Sequence, residues 1–396
     1  MRLSATKALL AAIALGLCAP PSAAGAKIAF QPCPQYPSLQ CGSLHVPLDR
    51  SAQLPGTIRL AALRRLAGRK PADTAVVTLA GGPGQAATPL VREFEAIMLP
   101  ALATRDLLVF DQRGTGASTT LACPLRGRSL TAAAARCATV LGARRGQFTT
   151  AANVEDLEAL RAAGRYEQLV IYGVSYGTKL ALDYASRYPE RVEALVLDSA
   201  VPQSGPDTLQ RSTFHAMRRV LSDMCAGGAC HGISKNPVAE IAAQVQRLAR
   251  GPLRGPLIAA NGHRQPAAVY RSDLLNILIA GDVNPTLRAE LPAAVTSARR
   301  GDSAPLVRLA GRSRGIIDRG ALHRDAVQMF SETVFAATLC EEGVFPWNRA
   351  ASRPTRAQQA RALVHGVGDA PFFPFDGPSA LATDIIKLCI GWPAMS

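Results

Sequence analysis

The feature that most constrains this chain is the segment 173–177, which reads GVSYG. A β-rich apolar run, 169–172, precedes it, and a helical pattern begins at Thr178. A G-x-S-x-G segment between a strand and a helix is typical of a nucleophile elbow, in which small flanking residues let strand and helix pass closely. We therefore predict that Ser175 is a nucleophile in a strained turn, with the backbone N–H of Tyr176 directed at an oxyanion beside the helix N-terminus.

Apolar runs rich in β-formers recur on both sides of this elbow, and helical patterns separate the later ones. Near-continuous apolar strands that alternate with helices are typical of a mostly parallel sheet covered on both faces. The first run alternates more strongly and could be an antiparallel edge strand. The predicted strands are 58–63, 75–79, 107–111, 169–174 and 194–198, and the helices between the later ones are 154–163 and 178–187.

The regular pattern ends at Pro202 and Gly205, and this change predicts the domain organisation. We assign 27–204 to the first part of an α/β core and 205–331 to a mainly helical cap, since Gly-Pro and Asn-Pro pairs break helical segments there. The cap helices are predicted at 238–248 and 272–279. Residues 332–396 then return to the core with one helix at 379–388.

A second glycine-rich segment, AGGPG at 80–84, follows the predicted strand 75–79. It lacks the Lys-Ser/Thr ending of a phosphate-binding P-loop. It is either a simple turn or, at the carboxyl end of a hydrolase sheet, the donor of a second oxyanion N–H from Gly82 or its neighbour. In the next such loop, DQRGTG at 111–116, we expect Asp111 and Arg113 to brace the site through charged hydrogen bonds.

The N-terminus predicts export. Arg2 and Lys7 precede an apolar run at 8–17, and small residues follow to Ala26, so 1–26 is typical of a secretory signal peptide. The apolar run is too short for a spanning helix, which needs about 20 apolar residues. We predict a periplasmic or extracellular protein without a stable membrane anchor.

The cysteine count agrees with an oxidising compartment, because removal of the signal and its Cys18 leaves eight of nine. Eight cysteines allow 105 pairings. There is no C-x-x-C and no histidine cluster at ligand spacing, so we predict structural disulfides, no metal and no cofactor. Proximity in sequence favours the pairs Cys33 with Cys41, Cys123 with Cys137, Cys225 with Cys230, and Cys340 with Cys389.

The formal net charge is +15, and nearly all the cations are arginines spread along the whole chain. No basic stripe is interleaved with aromatic residues, which excludes the usual pattern of a nucleic-acid-binding surface.

Taken together, the motifs resemble one family. They are VPLD at 46–49, GGPG at 81–84, DQRGTG at 111–116, GVSYGT at 173–178, LDSAVP at 197–202 and CIGWP at 389–393. In this order they are similar to the exported tripeptidyl aminopeptidases and their proline-iminopeptidase relatives within the α/β-hydrolase fold. The resemblance implies a serine peptidase with a helical cap over the site, which releases short peptides from a free N-terminus. Position 80, often His or Asn in that family, is Ala here.

The largest departure from the family concerns the acid and the histidine, which the family carries downstream of the Cys-x-x-Trp-Pro segment, whereas Ser396 is the last residue here. A serine nucleophile needs a base within hydrogen-bond reach. None of the later histidines occupies the family position; they are His215, His231, His263, His323 and His365. We favour a truncated form of a longer enzyme, which lacks the last strands of the sheet along with the acid and the histidine. A degenerate member and a base from elsewhere, including a second chain, are the alternatives, and the activity of this form stays open.

Glu341 and Glu342, beside Cys340, are candidates for holding the α-ammonium group of a peptide substrate, and a solvated charged turn is the alternative. Two other functions remain open for the chain. An esterase or lipase would use the same elbow, and a non-catalytic protein could keep the pocket for peptide binding alone.

Overall fold

A computed structural model describes residues 27–395 except 69, 124, 126, 128, 206, 259–260, 282–283 and 315–328. The predicted signal peptide, Cys18, His323 and Ser396 lie outside the described residues. No helix within these ranges is long and apolar enough to span a membrane.

The central sheet has seven strands in the order β1-β2-β3-β5-β4-β6-β7. Strands β4 to β7 run parallel to one another, and β1 to β3 join them as an antiparallel extension. The strands are β1 (Gln31–Cys33), β2 (Tyr36–Pro47), β3 (Thr57–Arg65), β4 (Thr74–Leu79), β5 (Asp106–Phe110), β6 (Gln168–Val174) and β7 (Val192–Asp198). The predicted mostly parallel α/β sheet is confirmed.

The expectation that the run at 57–64 could form an edge strand is wrong. This run is β3, which is antiparallel to its neighbours, but β2 pairs with it along eight residue positions and shields it. Strand β2 was not predicted, because polar residues such as Gln40, Ser43 and His45 interrupt its apolar positions.

Helices cover both faces of the parallel strands. Alternate β4 residues point to opposite sides, so Val76 packs with helix α1 while Val77 packs in the larger core with α3 and α4. The helices that cover the sheet are α1 (Val91–Met98), α2 (Leu130–Leu141), α3 (Thr150–Gly164) and α4 (Tyr176–Arg187). Strand β7 is the outer strand of the described sheet, and Val196 and Leu197 on it are 42% and 37% exposed.

The segment predicted as a cap is mainly helical in its described part. Its helices are α5 (Arg211–Met224), α6 (Pro237–Ala249), α7 (Arg271–Ala280), α8 (Pro285–Arg299) and α9 (Ala304–Ser313). It also contains an antiparallel hairpin, β8 (Leu253–Ile258) with β9 (Arg264–Val269), which was not predicted. The Gly-Pro pair at 255–256 predicted a break, but it lies inside β8 of this isolated two-stranded sheet.

The last part of the chain contains α10 (Glu332–Glu342), α11 (Arg353–Val367), α12 (Gly377–Leu381) and α13 (Asp384–Gly391). The prediction of one helix at 379–388 is wrong, because the chain turns at Thr383. That residue adopts an extended backbone, and its hydroxyl donates to the Ala380 carbonyl oxygen at 3.0 Å. This local bond competes with continuation of the helix.

Four disulfides link the described cysteines in the pairing that sequence proximity favoured: Cys33–Cys41, Cys123–Cys137, Cys225–Cys230 and Cys340–Cys389. The last of these closes the longest loop and joins α10 to α13.

Candidate active site

Ser175 lies between β6 and α4 with φ 53° and ψ −119°, a region that non-glycine residues rarely adopt. Its N–H donates to the Asp198 carbonyl oxygen, and its own carbonyl oxygen accepts from the Thr178 N–H, both at 2.9 Å. Such backbone strain costs about 1–3 kcal/mol and persists only where the surroundings enforce it. Here the end of β7 and the first turn of α4 hold the serine in place.

The two glycines of the elbow are required by the close passage of strand and helix. A Cβ at Gly173 would lie 2.6 Å from the Gly177 carbonyl oxygen, and a Cβ at Gly177 would overlap the carbonyl oxygen of Leu79. No side chain fits at either position, which explains the spacing of the motif in physical terms.

The glycine loop after β4 lies directly beside Ser175, since a Cβ at Gly81 would be 3.1 Å from the Cβ of Ser175. Within the described part of the chain, the backbone N–H groups of Gly82 and Tyr176 donate to no acceptor. Two unpaired donors next to a serine are what an oxyanion hole requires. Both groups belong to the residues that the sequence predicted for this role.

Asp111 braces the loops around the site, in line with its predicted role. Its buried carboxylate accepts the N–H groups of Ala87, Thr88 and Ala117, each at 2.8 Å. The neighbouring Gln112 donates to the carbonyl oxygen of Ala80 at 3.1 Å, directly before the glycine loop. The residues directly after β5 therefore hold the glycine loop, which forms the predicted oxyanion side of the site together with the Tyr176 N–H.

Arg113 extends this bracing through a buried ion pair. Its guanidinium makes two bonds of 2.7 Å to the Asp156 carboxylate and also donates to the carbonyl oxygens of Leu48 and Gln147. Arg50 donates to the same carboxylate at 2.8 Å. The Arg113 guanidinium therefore connects α3, the end of β2 and the loop after β5.

Among the described residues, no histidine ring forms a hydrogen bond with Ser175, and His323 lies outside them. Asp198, whose backbone carbonyl accepts the Ser175 N–H, also has a carboxylate, and it lies in the LDSAVP motif although it was not predicted as a site residue. It accepts from the hydroxyls of Tyr172 at 3.1 Å and Ser199 at 2.9 Å. Burial, followed by this bond to Asp198, raises the pKa of Tyr172, which keeps the phenol a donor.

A cavity of about 440 Å³ opens on the outer side of the elbow helix. The Tyr176 side chain lines it, and its hydroxyl lies 2.9 Å from the Thr150 hydroxyl. Thr150 donates to the Glu342 carboxylate through its hydroxyl at 2.7 Å and also through its backbone N–H. Burial, followed by the charge of Glu342, raises the pKa of Tyr176. One residue thus contributes a backbone donor to the oxyanion side and an aromatic ring to this cavity.

The two predicted glutamates have different surroundings. The Glu341 carboxylate is nearly buried, accepts from Trp392 at 2.7 Å and is paired with Arg145 and Arg349. Glu342 lines the cavity, remains partly exposed and lies 3.9 Å from the Lys179 ammonium group, which is itself paired with Asp183 at 2.7 Å. Of the two glutamates only Glu342 therefore lines the cavity, which Asp183 lines as well. The described residues hold no cluster of three or more His, Cys, Asp or Glu side chains suited to a metal ion.

Residues 74–223 match the family model described as the alpha/beta hydrolase fold. The match contains the parallel strands, the glycine loop and the elbow serine. Over these residues the chain has the α/β-hydrolase fold. Among solved structures, an α/β hydrolase from Novosphingobium aromaticivorans aligns at 18% identity with a TM-score of 0.29, over 58% of this chain and 68% of that one. A likeness this low adds no evidence about the fold beyond the observed order of the strands.

Several curated proteins resemble this chain in sequence. The tripeptidyl aminopeptidase of Streptomyces lividans is 29% identical over 42% of this chain and 36% of its own length. The serine protease Hip1 of Mycobacterium tuberculosis is 29% identical over 42% and 37%. The proline iminopeptidase of Arabidopsis thaliana is 33% identical over 32% and 27%. The matched part spans about a third of the length of these relatives or less. All three relatives have peptidase or protease names, and the motifs of this chain resemble the same group of proteins.

Proposed function

We propose that this α/β hydrolase is an exported serine peptidase that releases short peptides from a free amino terminus through an acyl-enzyme at Ser175. The observation that carries the proposal is the strained elbow serine with the unpaired N–H groups of Gly82 and Tyr176 next to it. The peptidase names of the relatives favour amide substrates over esters.

In this mechanism the Ser175 hydroxyl attacks the scissile carbonyl carbon and forms an ester with the acyl part, while the amine leaves. The N–H groups of Gly82 and Tyr176 stabilise the oxyanion, and loss of one such donor costs about 10²–10³ in kcat. Water then hydrolyses the ester and frees the peptide. No histidine of the described residues bonds to Ser175, so in this proposal a base supplied from elsewhere, including a second chain, accepts the Ser175 proton in the first step and returns it to the leaving amine.

Glu342 is the group that we assign to the α-ammonium of the substrate. Its carboxylate is fixed by two donors from Thr150 and still faces the cavity. Tyr176 connects that cavity to the oxyanion side, and a tripeptide in extended form spans about 10 Å. In this proposal the amine is held at the cavity, some residues away from the scissile bond.

The first experiment is labelling of the purified mature chain with a fluorophosphonate probe, beside Ser175→Ala. We expect the wild type alone to be labelled, because only an activated serine reacts quickly with such a probe. A folded wild type that resists labelling would contradict the acyl-enzyme mechanism and favour a protein that only binds peptides.

The second experiment separates a peptidase from an esterase. We expect turnover of a fluorogenic tripeptide amide with a free amine and none of its N-acetylated form. Glu342→Gln should raise KM for the free amine about 10-fold or more and leave kcat unchanged, since a charge-assisted contact is lost. Equal rates on both amides, or hydrolysis of simple esters alone, would reject the aminopeptidase.

Export is part of the proposal. All eight cysteines of the described part are joined in disulfides, and such bonds persist in oxidising compartments. Expression of the full chain beside a version without residues 1–26, followed by cell fractionation, tests this. We expect the full chain outside the cytoplasm, and its retention in the cytoplasm would contradict export.

A further inference from the structure

A short segment after the cap is seated on the glycine loop beside the nucleophile. Met329 accepts the N–H of Ala86 at 2.8 Å, and the Ser331 N–H donates to the Gly84 carbonyl oxygen at 2.8 Å. Phe330 lies between these bonds and forms an antiparallel bridge with Gln85. The backbone of residues 329–331 therefore follows the loop that carries the Gly82 N–H.

This segment is also held on its far side. The Ser331 hydroxyl oxygen accepts the Val334 N–H and caps α10, while a Cβ at Gly84 would lie only 2.6 Å from the Ser331 carbonyl oxygen. Contact this close leaves no room for the two backbones to slide past each other. The position of Phe330 is thus determined by the same loop that forms the oxyanion side of the site.

The Phe330 ring lies against the glycine loop beside Ser175 and is partly open to solvent. Its Cε2 atom would be 3.2 Å from a Cβ at Gly82, while a Cβ at the preceding Gly81 would be 3.1 Å from the Cβ of Ser175. The dipeptide Gly81-Gly82 therefore lies between the Phe330 ring and Ser175. One side of the ring packs against Phe335 with the centroids 5.7 Å apart, and 37% of the residue stays exposed.

We infer that Phe330 forms the wall of a subsite for the residue whose carbonyl Ser175 attacks, and that it selects an aromatic side chain there. The inference rests on the proposed peptidase function and adds the preferred substrate class. A fixed, exposed ring offers a second aromatic group an edge or a face to pack on. Such pairs contribute about 3- to 10-fold in affinity beyond the area that they bury.

The test measures equilibrium binding by calorimetry, so that it does not depend on turnover. The ligands are two peptides that match the acyl product, Ala-Ala-Phe and Ala-Ala-Ala. They are titrated into the wild type, Phe330→Ala and Phe330→Leu. Phe373→Ala is the matched control, because Phe373 is 41% exposed and lies in the loop before α12. Circular dichroism and thermal unfolding establish that each variant is folded.

We expect the wild type and Phe373→Ala to bind the phenylalanine peptide about 3- to 10-fold more tightly than the alanine peptide. Phe330→Ala should bind both equally, and Phe330→Leu should keep only a small preference, because it retains apolar bulk without the ring. Equal affinities in the wild type, an unchanged preference in Phe330→Leu, or no binding of either peptide would overturn the inference.

The result is separate from the test of the mechanism. Fluorophosphonate labelling of Ser175 without a phenylalanine preference would remove the subsite and leave the peptidase. A phenylalanine preference that depends on Phe330, together with an unlabelled serine, would support the subsite and remove the acyl-enzyme mechanism.

Discussion

The elbow strand β6 has two parallel neighbours that resemble each other in sequence and differ in environment. On one side, β4 and the adjoining β5 are almost fully buried, and every β5 residue is covered. On the other side, no residue of β7 is buried, although its sequence VEALVLD is as apolar as a covered strand. An apolar run therefore specifies a strand, whereas coverage depends on which elements pack against it. Ser175 therefore lies between a buried side of the sheet and an exposed one.

The buried ion pair of Arg113 with Asp156 gives the largest expected difference in stability between the buried side of the sheet and the β7 side. Arg113→Met removes a partner of the buried Asp156 and leaves that carboxylate with Arg50 alone, so we expect a loss of about 3–5 kcal/mol in the free energy of unfolding. Arg105→Met, which breaks the half-exposed pair with Glu193 of β7, should cost about 1 kcal/mol or less. Urea unfolding measures both, and equal losses would break the comparison.

A leucine on each strand gives the second contrast. Leu79 at the end of β4 is fully buried, and Leu197 near the end of β7 is exposed by about a third. Leu79→Ala should lower the free energy of unfolding by about 2–5 kcal/mol, because it removes packed atoms and leaves a cavity. Leu197→Ala should cost less than about 1 kcal/mol. A large loss at Leu197 in thermal or urea unfolding would mean that β7 is covered in solution.

The smallest expected effect depends on pH and concerns the cavity side of α4. Burial raises the pKa of Tyr176 above its ordinary value of 10.0, so above pH 10 the unfolded chain releases this proton while the folded chain keeps it. The free energy of unfolding should therefore fall as pH rises, by up to about 1.4 kcal/mol per pH unit from this residue. Tyr176→Phe should make that fall less steep.

The same substitution at the exposed Tyr270 is the control for that measurement. Tyr176→Phe also loses the hydrogen bond with Thr150, which should cost about 1 kcal/mol at neutral pH. Unfolding followed between pH 8 and 11 separates the two effects, because the hydrogen bond changes the level of the curve and the titration changes its slope. Identical slopes for the wild type and Tyr176→Phe would contradict burial of the phenol.

The sequence predicted the parts of this molecule that depend on local patterns. The apolar runs located β3 to β7, and the glycines around Ser175 located the elbow, because backbone overlap at Gly173 and Gly177 leaves no alternative residue. The disulfide pairs followed from proximity along the chain. Strand β2 and the hairpin of β8 and β9 were missed, since their polar or proline-containing sequences carry no such pattern.

The parts of the site that depend on distant residues could not be predicted. Glu341 and Glu342 are adjacent in sequence, yet the first is paired with Arg145 and accepts a hydrogen bond from Trp392, while Thr150 positions the second. No local signal distinguishes them, because successive residues of a helix point in different directions. The place of Phe330 likewise depends on pairing with a loop more than 200 residues earlier.

The double use of Tyr176 has a consequence for redesign of this site. Its contribution to the oxyanion side comes from the backbone N–H, which every residue except proline provides. Its contribution to the cavity comes from the ring and the hydroxyl. The volume and polarity of this cavity can therefore be changed at position 176 while the main-chain donor is retained. Substitution of the Tyr176 side chain alters the cavity without removing the backbone N–H.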